Sequence, residues 1–410
     1  MSSFGPFLGL NNRLPDSKLT VKDVGQWLRH AVNVDINDSH WVSRRSGFRL
    51  GTPLSSAHSL WSNGTRTFFV YNGSLQEVIT FSPLSLVARV ALASSAVMSF
   101  VDVGGDVYFT NGTDSGRLAA GATVVTLWAL PTPATPVAAT GTGTLNPGDY
   151  QISLTYSTAA GEEGGSSPSI NPTLSSIGGF VLTLPGAVSG ADYINLYISG
   201  TDGELPCWYA RLPASTVTAA ITAPATGREV PNAFLSPQPA GQVVSAHNGR
   251  LLVASGAILT YSPPWNLGLY LPAEGYIPFP STITNVVPCI DGVYVTADRT
   301  YWLAGPDIAE AEVVPTLPYG ALSGTAFRIP HTEQVGWYGL RGVVVADKTG
   351  QAKAVQEDAV AVDTAASGAS LVREVAGVRS VVVALAGTPS TPALVAPGVV
   401  AEDAERLHGL

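Results

Sequence analysis

The chain has 410 residues, 43 of them Gly and 30 Pro, and only 12% are charged, about half the usual share for a soluble domain. So many helix breakers exclude a helical protein and point to an almost all-β chain of short strands and tight turns. A net charge of −9 excludes a surface that grips nucleic-acid phosphate with clustered Lys and Arg, but not a wall along which nucleic acid slides. Residues 1–30 read as an N-terminal arm, with one short helix expected over 21–30. Residues 32–50 read as a hairpin: Val32, Val34 and Ile36 alternate with polar partners, residues 37–39 form the turn, and the chain returns from Trp41.

From there one pattern recurs: a polar turn, two to five β-branched or aromatic residues, then another polar turn. It appears at 68–73, 106–112, 248–256, 291–300, 340–350 and 377–387. A hairpin of this kind cannot bury its own apolar face, so repeated hairpins must stack, and the closed solutions are a propeller or a barrel. The intervals Tyr71 to Tyr108, Leu252 to Tyr294 and Tyr294 to Val344 bracket the ~40–50 residues of a four-stranded blade. The series is interrupted between Asp106 and Asn248. A Pro/Thr/Gly/Ala linker at 130–143 leads into alternating strands (Tyr150, Ile152, Leu154, Tyr156; Ile194, Leu196, Ile198), and a Pro-bearing joint follows at 234–240. That stretch of about 100 residues has the size of an immunoglobulin or fibronectin type III-like sandwich. The expected organisation is an arm (1–30), a first propeller part (31–130), an inserted β-sandwich (131–237), a second propeller part (238–390) and a tail (391–410), with 399–407 a short exposed helix or tail.

No catalytic signature stands out. Glu162 and Glu163 lie in a Gly/Ser-rich loop and read as a solvated hairpin turn rather than an acid/base pair. The six His are scattered without metal spacing. Cys207 and Cys289 are too few for a disulfide framework and read as buried thiols of a protein made in a reducing cytosol. The sequons at Asn63, Asn72 and Asn111 read as Asn-Gly turns rather than glycan sites. No cofactor or metal is expected. No apolar run approaches the roughly 20 residues that span a bilayer, and no secretory signal is expected. Arg44, Arg45 and Arg49 form the densest basic cluster, too small for strong phosphate binding. Trp265, Tyr270, Tyr276 and Phe279 cluster in the Pro-rich segment 261–280, which suits a packed or interface loop better than a carbohydrate platform.

The runs Gly9-Leu10-Asn11-Asn12-Arg13-Leu14-Pro15, Ala31-Val32-Asn33-Val34-Asp35 and Arg44-Arg45-Ser46-Gly47-Phe48 resemble the opening of virion proteins of tailed bacteriophages. Residues 106–117 (DVYFTNGTDSGR) are similar to a blade motif of the same group. The nearest group is the tail nozzle (tail-tube-end) proteins of short-tailed phages. The resemblance covers 9–117 and, more loosely, 241–350.

The resemblance implies a β-propeller of about six blades with an inserted sandwich, and a non-enzymatic structural role. It implies a homo-oligomeric, hexameric ring in the virion tail, assembled in the host cytoplasm. Partners would be adaptor or portal-proximal tail proteins and tail fibres or spikes, with DNA passing without specific binding. Ring closure is expected where residues 32–36 pair with 381–385, because an unclosed propeller leaves two sheet edges bare. Asn11, Asn12, Arg13, Arg44, Arg45, Trp265, Tyr270 and Tyr276 are the candidate subunit or neighbour contacts, across obligate interfaces of more than ~2,000 Å². The alternatives are a propeller glycosidase using loop carboxylates, and a receptor-recognition protein whose sandwich binds a glycan.

Overall fold

The computed structural model describes residues 6–32, 34–36, 40–44, 51–362, 365–375, 378–387 and 402–406. Among these the chain is all-β, and the one helical element is a 3-10 turn at Asp16–Lys18. Two compact units divide it: Met1–Ala57, Thr80–Leu84 and Pro280–Leu410 form the first, and His58–Ile79 with Ser85–Phe279 the second.

The arm forms a small sheet in which β3 (Gly25–Leu28) lies parallel to β1 (Phe7–Leu10) and antiparallel to β2 (Thr20–Val21). The helix expected over 21–30 is therefore absent. Asp23 sits in the left-handed region at φ 63°, which turns the chain between β2 and β3 and which a right-handed helix cannot accommodate. The hairpin expected next is present as β4 (Val34–Ile36) against β5 (Val42–Arg44), in the register Val34–Arg44 and Ile36–Val42. Its turn, 37–39, lies outside the described residues.

A four-stranded antiparallel sheet follows, β6 (His58–Ser62), β7 (Thr67–Tyr71), β8 (Ser74–Phe81) and β9 (Leu84–Ala91), paired in chain order. The next has three strands, β10 (Ser99–Val103), β11 (Asp106–Thr110) and β12 (Ser115–Leu118). The turns of these hairpins carry the residues the sequence offers for them: Asn72 and Gly73 lie at φ 49° and 65°, as a tight hairpin turn of the primed kind requires.

The sandwich then occupies β13 (Val137–Leu145) to β20 (Thr218–Ile221). One sheet has the order β13-β17-β20, with β17 at Gly178–Thr183. The other has the order β15-β18-β19, with β15 at Ile152–Ser157, β18 at Tyr193–Ile198 and β19 at Cys207–Pro213. A short pair, β14 (Gly148–Asp149) and β16 (Thr173–Leu174), closes one end. The first two long strands lie in different sheets, which departs from the immunoglobulin arrangement expected from length and alternation, where they share one. Between the sheets Ile152, Leu154, Tyr156, Phe180, Leu182, Ile194, Leu196, Ile198 and Ile221 are all essentially inaccessible. Each such side chain contributes about 1.5–3 kcal/mol by leaving water.

After a two-strand pairing of β21 (Ser236–Pro237) with β25 (Leu269–Tyr270), the meanders resume. The first comprises β22 (Val243–His247), β23 (Arg250–Ser255), β24 (Ile258–Tyr261) and β26 (Tyr276–Pro278). The second comprises β27 (Asn285–Cys289), β28 (Gly292–Thr296), β29 (Thr300–Ala304) and β30 (Glu312–Leu317). The third comprises β31 (Phe327–Arg328), β32 (Val335–Gly339), β33 (Gly342–Ala346) and β34 (Ala352–Ala354). The last is β35 (Ser367–Val375), β36 (Val378–Ala386) and β37 (Glu402–Arg406). Two expectations fail here. Residues 402–406 form a strand rather than the short exposed helix or tail expected over 399–407. Residues 381–385 are flanked by β35 and β37, so both edges of β36 are taken and 32–36 has no place beside it.

Each unit repeats one mode of sheet packing. In the second unit Phe68, Val70, Leu75, Val107, Phe109 and Leu118 fill the layer between β6–β9 and β10–β12. Tyr108, between Val107 and Phe109, points the other way into a layer with Val244, Leu251 and Val253. In the first unit Tyr294, Trp302, Trp337 and Val344 fill one layer, while Tyr338, Val343 and Val345 face the next, with Val381 and Val383. A middle sheet buried on both faces reads as an unbroken apolar run, as in Gly342–Ala346. Polar latches accompany each layer, beginning with Ser59 Oγ, which accepts from the Met98 amide at 2.8 Å between β6–β9 and β10–β12. Thr110 Oγ1 donates to the Gly241 carbonyl at 2.8 Å and Ser99 Oγ accepts from the Val244 amide at 3.0 Å. Asn285 Nδ2 donates to the Leu322 carbonyl at 2.8 Å, and Ser370 Oγ donates to the Thr325 carbonyl.

Candidate functional site

Alternation in β15 sends Ile152, Leu154 and Tyr156 into the sandwich core and Ser153, Thr155 and Ser157 to the opposite face. That outer face should be wet, yet Ser153, Thr155, Ser157, Asn195 and Tyr197 are all at most 3% exposed. The cover comes from the loop after β15. It folds back so that Glu163 bridges to Ser157, and Asn232 Nδ2 holds the Glu163 carbonyl at 2.7 Å. Gly165 allows the close approach, since a Cβ there would fall 1.8 Å from the Leu235 carbonyl oxygen.

The Glu163 carboxylate thus enters a polar network. Its Oε1 accepts from Thr155 Oγ1, from Tyr197 Oη at 2.5 Å and from Asn195 Nδ2 at 3.1 Å. Burial, and then the neighbouring carboxylate, push the Tyr197 hydroxyl well above the ordinary tyrosine range, so it stays a protonated donor. Arg211 donates from Nε to Asn195 Oδ1 at 3.2 Å and from Nη2 to Ser157 Oγ at 3.0 Å, and its guanidinium stacks over Tyr193 at 4.7 Å. Ser153 Oγ, in register with Tyr197, is buried with no hydrogen-bond partner among the described residues.

A bulge in β19 completes the site. The register of β18 against β19 shifts between Leu196 and Tyr197, which inserts one extra residue beside Tyr209. Two-residue alternation would place Trp208 and Arg211 on opposite faces; the bulge returns both to the outer one, while Tyr209 and Leu212 pack on the core. The segment at 227–229 lies along the edge of β19, with the Trp208 amide donating to the Arg228 carbonyl at 2.7 Å. Glu163, Asn195, Tyr197, Trp208, Arg211 and Arg228 then surround an open pocket of about 330 Å³.

The sequence did not single out this group. Glu163 is corrected from a solvated turn to a buried carboxylate with a side chain 11% exposed, whereas Glu162 is exposed and pairs with Arg117 at 2.8 Å. The two carboxylates therefore serve different partners and do not form an acid/base pair. Cys207 is half-buried rather than buried. Cys289 is buried, and desolvation pushes its thiol up to about 11, which leaves it protonated and unreactive near neutrality.

The residues expected at contacts are dispersed. Asn11 is buried and its Oδ1 accepts from the Arg13 and Leu14 amides, an Asx turn that shapes the arm. Asn12 is engaged within its own unit: Nδ2 donates to the Ala361 carbonyl and Oδ1 accepts from the Ala361 amide at 2.7 Å. Arg13 and Arg44 are exposed, and Arg45 lies outside the described residues. Trp265 is 81% exposed on a turn, Tyr270 half-buried on β25 and Tyr276 partly exposed on β26, so the aromatic cluster of the sequence is spread over three elements.

No family model matches the chain, and no curated protein matches it. Solved structures give low similarity. The computationally designed Ika8 protein is 10% identical with a TM-score of 0.28, over 80% of this chain and 93% of that one. PorZ, a surface component of the type-IX secretion system of Porphyromonas gingivalis, is 11% identical with a TM-score of 0.26, over 79% of this chain and 62% of that one. The extracellular domain of a one-component system from B. thetaiotaomicron is 11% identical with a TM-score of 0.25, over 79% of this chain and 46% of that one.

Proposed function

We propose that this chain is a structural virion protein of a tailed bacteriophage: its six small sheets close into a propeller, and copies of it assemble as a homo-oligomeric, hexameric ring in the tail. The observation that carries the reading is the repeated sheet contact, an apolar layer flanked by a polar latch, met in both units at successive meanders. Sheets that bury both faces in series have edges and ends to cover, and radial closure covers them. The resemblance of 9–15, 31–35, 44–48 and 106–117 to tail nozzle proteins supplies the setting. The low charge and net −9 suit a conduit that DNA crosses without adhering.

A glycosidase is the weaker reading. Two-carboxylate hydrolysis needs a pair of acids flanking the scissile bond; a propeller glycosidase would carry them on loops at one end of the channel, and the sequence has few carboxylates near its aromatic loops and no Ser-x-Asp-x-Gly-x-x-Trp repeat. The test is the mass of the purified chain in solution, by sedimentation velocity. A ring of about six copies of the 42.4 kDa chain is expected, since closed cyclic symmetry satisfies every interface. A lone 42.4 kDa species that persists with other tail proteins present contradicts the reading.

A further inference from the structure

The pocket on the sandwich face has features that a purely structural role leaves unused. Trp208 stands at its wall 39% exposed. Arg211 is fixed by two hydrogen bonds and by the Tyr193 ring, yet among the described residues its Nη1 has no protein partner. The Arg228 side chain is 74% exposed and pairs with Glu163 Oε2 at 3.5 Å. Glu163 Oε1 is saturated by the network beneath it, whereas Oε2 keeps lone pairs for another donor. The volume, about 330 Å³, falls at the lower end of the ~300–1,000 Å³ typical of small-molecule sites.

We infer that this pocket binds an acidic saccharide, a pyranose ring carrying a carboxylate. The ring's apolar face lies on the Trp208 indole, whose quadrupole attracts polarised C–H groups. The carboxylate is taken by Arg211 through Nη1 and the second hydrogen of Nη2, the end of the guanidinium left free, and by Arg228, because guanidinium geometry matches a carboxylate in bidentate fashion. A ring hydroxyl donates to Glu163 Oε2. Charge selects the class. Two guanidiniums against one carboxylate leave a single positive charge in the pocket, which a monoanion neutralises. A phosphate dianion would leave excess negative charge beside Glu163. The network beneath holds Arg211 in place before the ligand arrives, so little ordering cost falls on binding. This inference stands independently of the ring reading.

The test titrates the full chain with D-glucuronic acid, N-acetylneuraminic acid, D-glucose and AMP, by calorimetry and ligand-observed NMR. At least one of the two acids is expected to bind with a Kd of about 1 mM or tighter, and which of them binds separates uronate from sialate sources. Glucose is expected to bind at least about tenfold more weakly, as loss of a charge-assisted bond requires. Arg228→Ala, at an exposed position, is expected to cost about tenfold, and Trp208→Ala to abolish detectable binding, in variants whose circular dichroism matches the native chain. Absence of binding by both acids up to about 10 mM overturns the inference. So does binding of glucose or AMP as tight as that of the acids, or unchanged affinity in both variants.

Discussion

Replacing Glu163 with alanine is expected to destabilise the protein by about 2–4 kcal/mol, as leaving buried hydrogen-bond donors without an acceptor does. The substitution strands two donors at once, Thr155 Oγ1 and Tyr197 Oη, which point at Oε1 in a face that is closed to water, while Asn195 Nδ2 keeps Thr155 Oγ1 and Ser157 Oγ as acceptors. Each stranded group costs about 1–3 kcal/mol of lost solvation, partly relieved by local relaxation. Glu163→Gln keeps the shape and one carbonyl acceptor and is expected to lose about half as much. Urea unfolding of the two variants measures the difference. Equal midpoints for Glu163→Ala and the native chain would mean that the loop does not seal this face.

The second large effect is expected at Glu77. Its carboxylate accepts from Arg66 Nε at 2.7 Å and Nη2 at 2.8 Å and from Arg89 Nε at 2.5 Å, and all three side chains are at most 13% exposed. Glu77→Ala leaves two buried guanidiniums facing each other, a loss of about 3–5 kcal/mol. The same site carries a pH signature. Burial works against the Glu77 charge, but the hydrogen bonds and charges of Arg66 and Arg89 outweigh it and hold the carboxyl below its ordinary value of 4.5. A folded-state pKa that lies below the unfolded one contributes stability above about 4.5, and that stability is lost as pH falls through the depressed value. The stability gap between the native chain and Glu77→Gln, read from thermal unfolding at a series of pH values, is therefore expected to be widest near neutrality and to narrow below pH ~4.5. A gap constant down to pH ~3 would contradict it.

The strands were legible because they alternate or run apolar. Ile152, Leu154 and Tyr156 mark a one-faced strand, and Val343, Val344 and Val345 mark one buried on both faces. Elements fixed by a single backbone choice were not legible. Nothing in the composition of 21–30 announces that Asp23 adopts the left-handed conformation, so the segment imitates a short helix.

The pocket was hidden for two physical reasons. The Gly/Ser-rich loop that carries Glu163 looks solvated, because what buries it is Asn232 and the carbonyl of Leu235, far along the chain. The bulge beside Tyr209 breaks the two-residue period, so Trp208 and Arg211 seem to face apart. One signal was available. A strand reading Trp208-Tyr209-Ala210-Arg211-Leu212 places Ala210 where strict alternation asks for a large side chain, and a small residue there is compatible with a bulge.

Electron cryomicroscopy of the purified chain tests together whether the small sheets close radially and whether the closed chain assembles into a ring. Rings with a central channel, each subunit showing six sheets around one axis, are the expected result. Single subunits whose sheets form an open stack, with no closed wheel and no ring, would contradict the account.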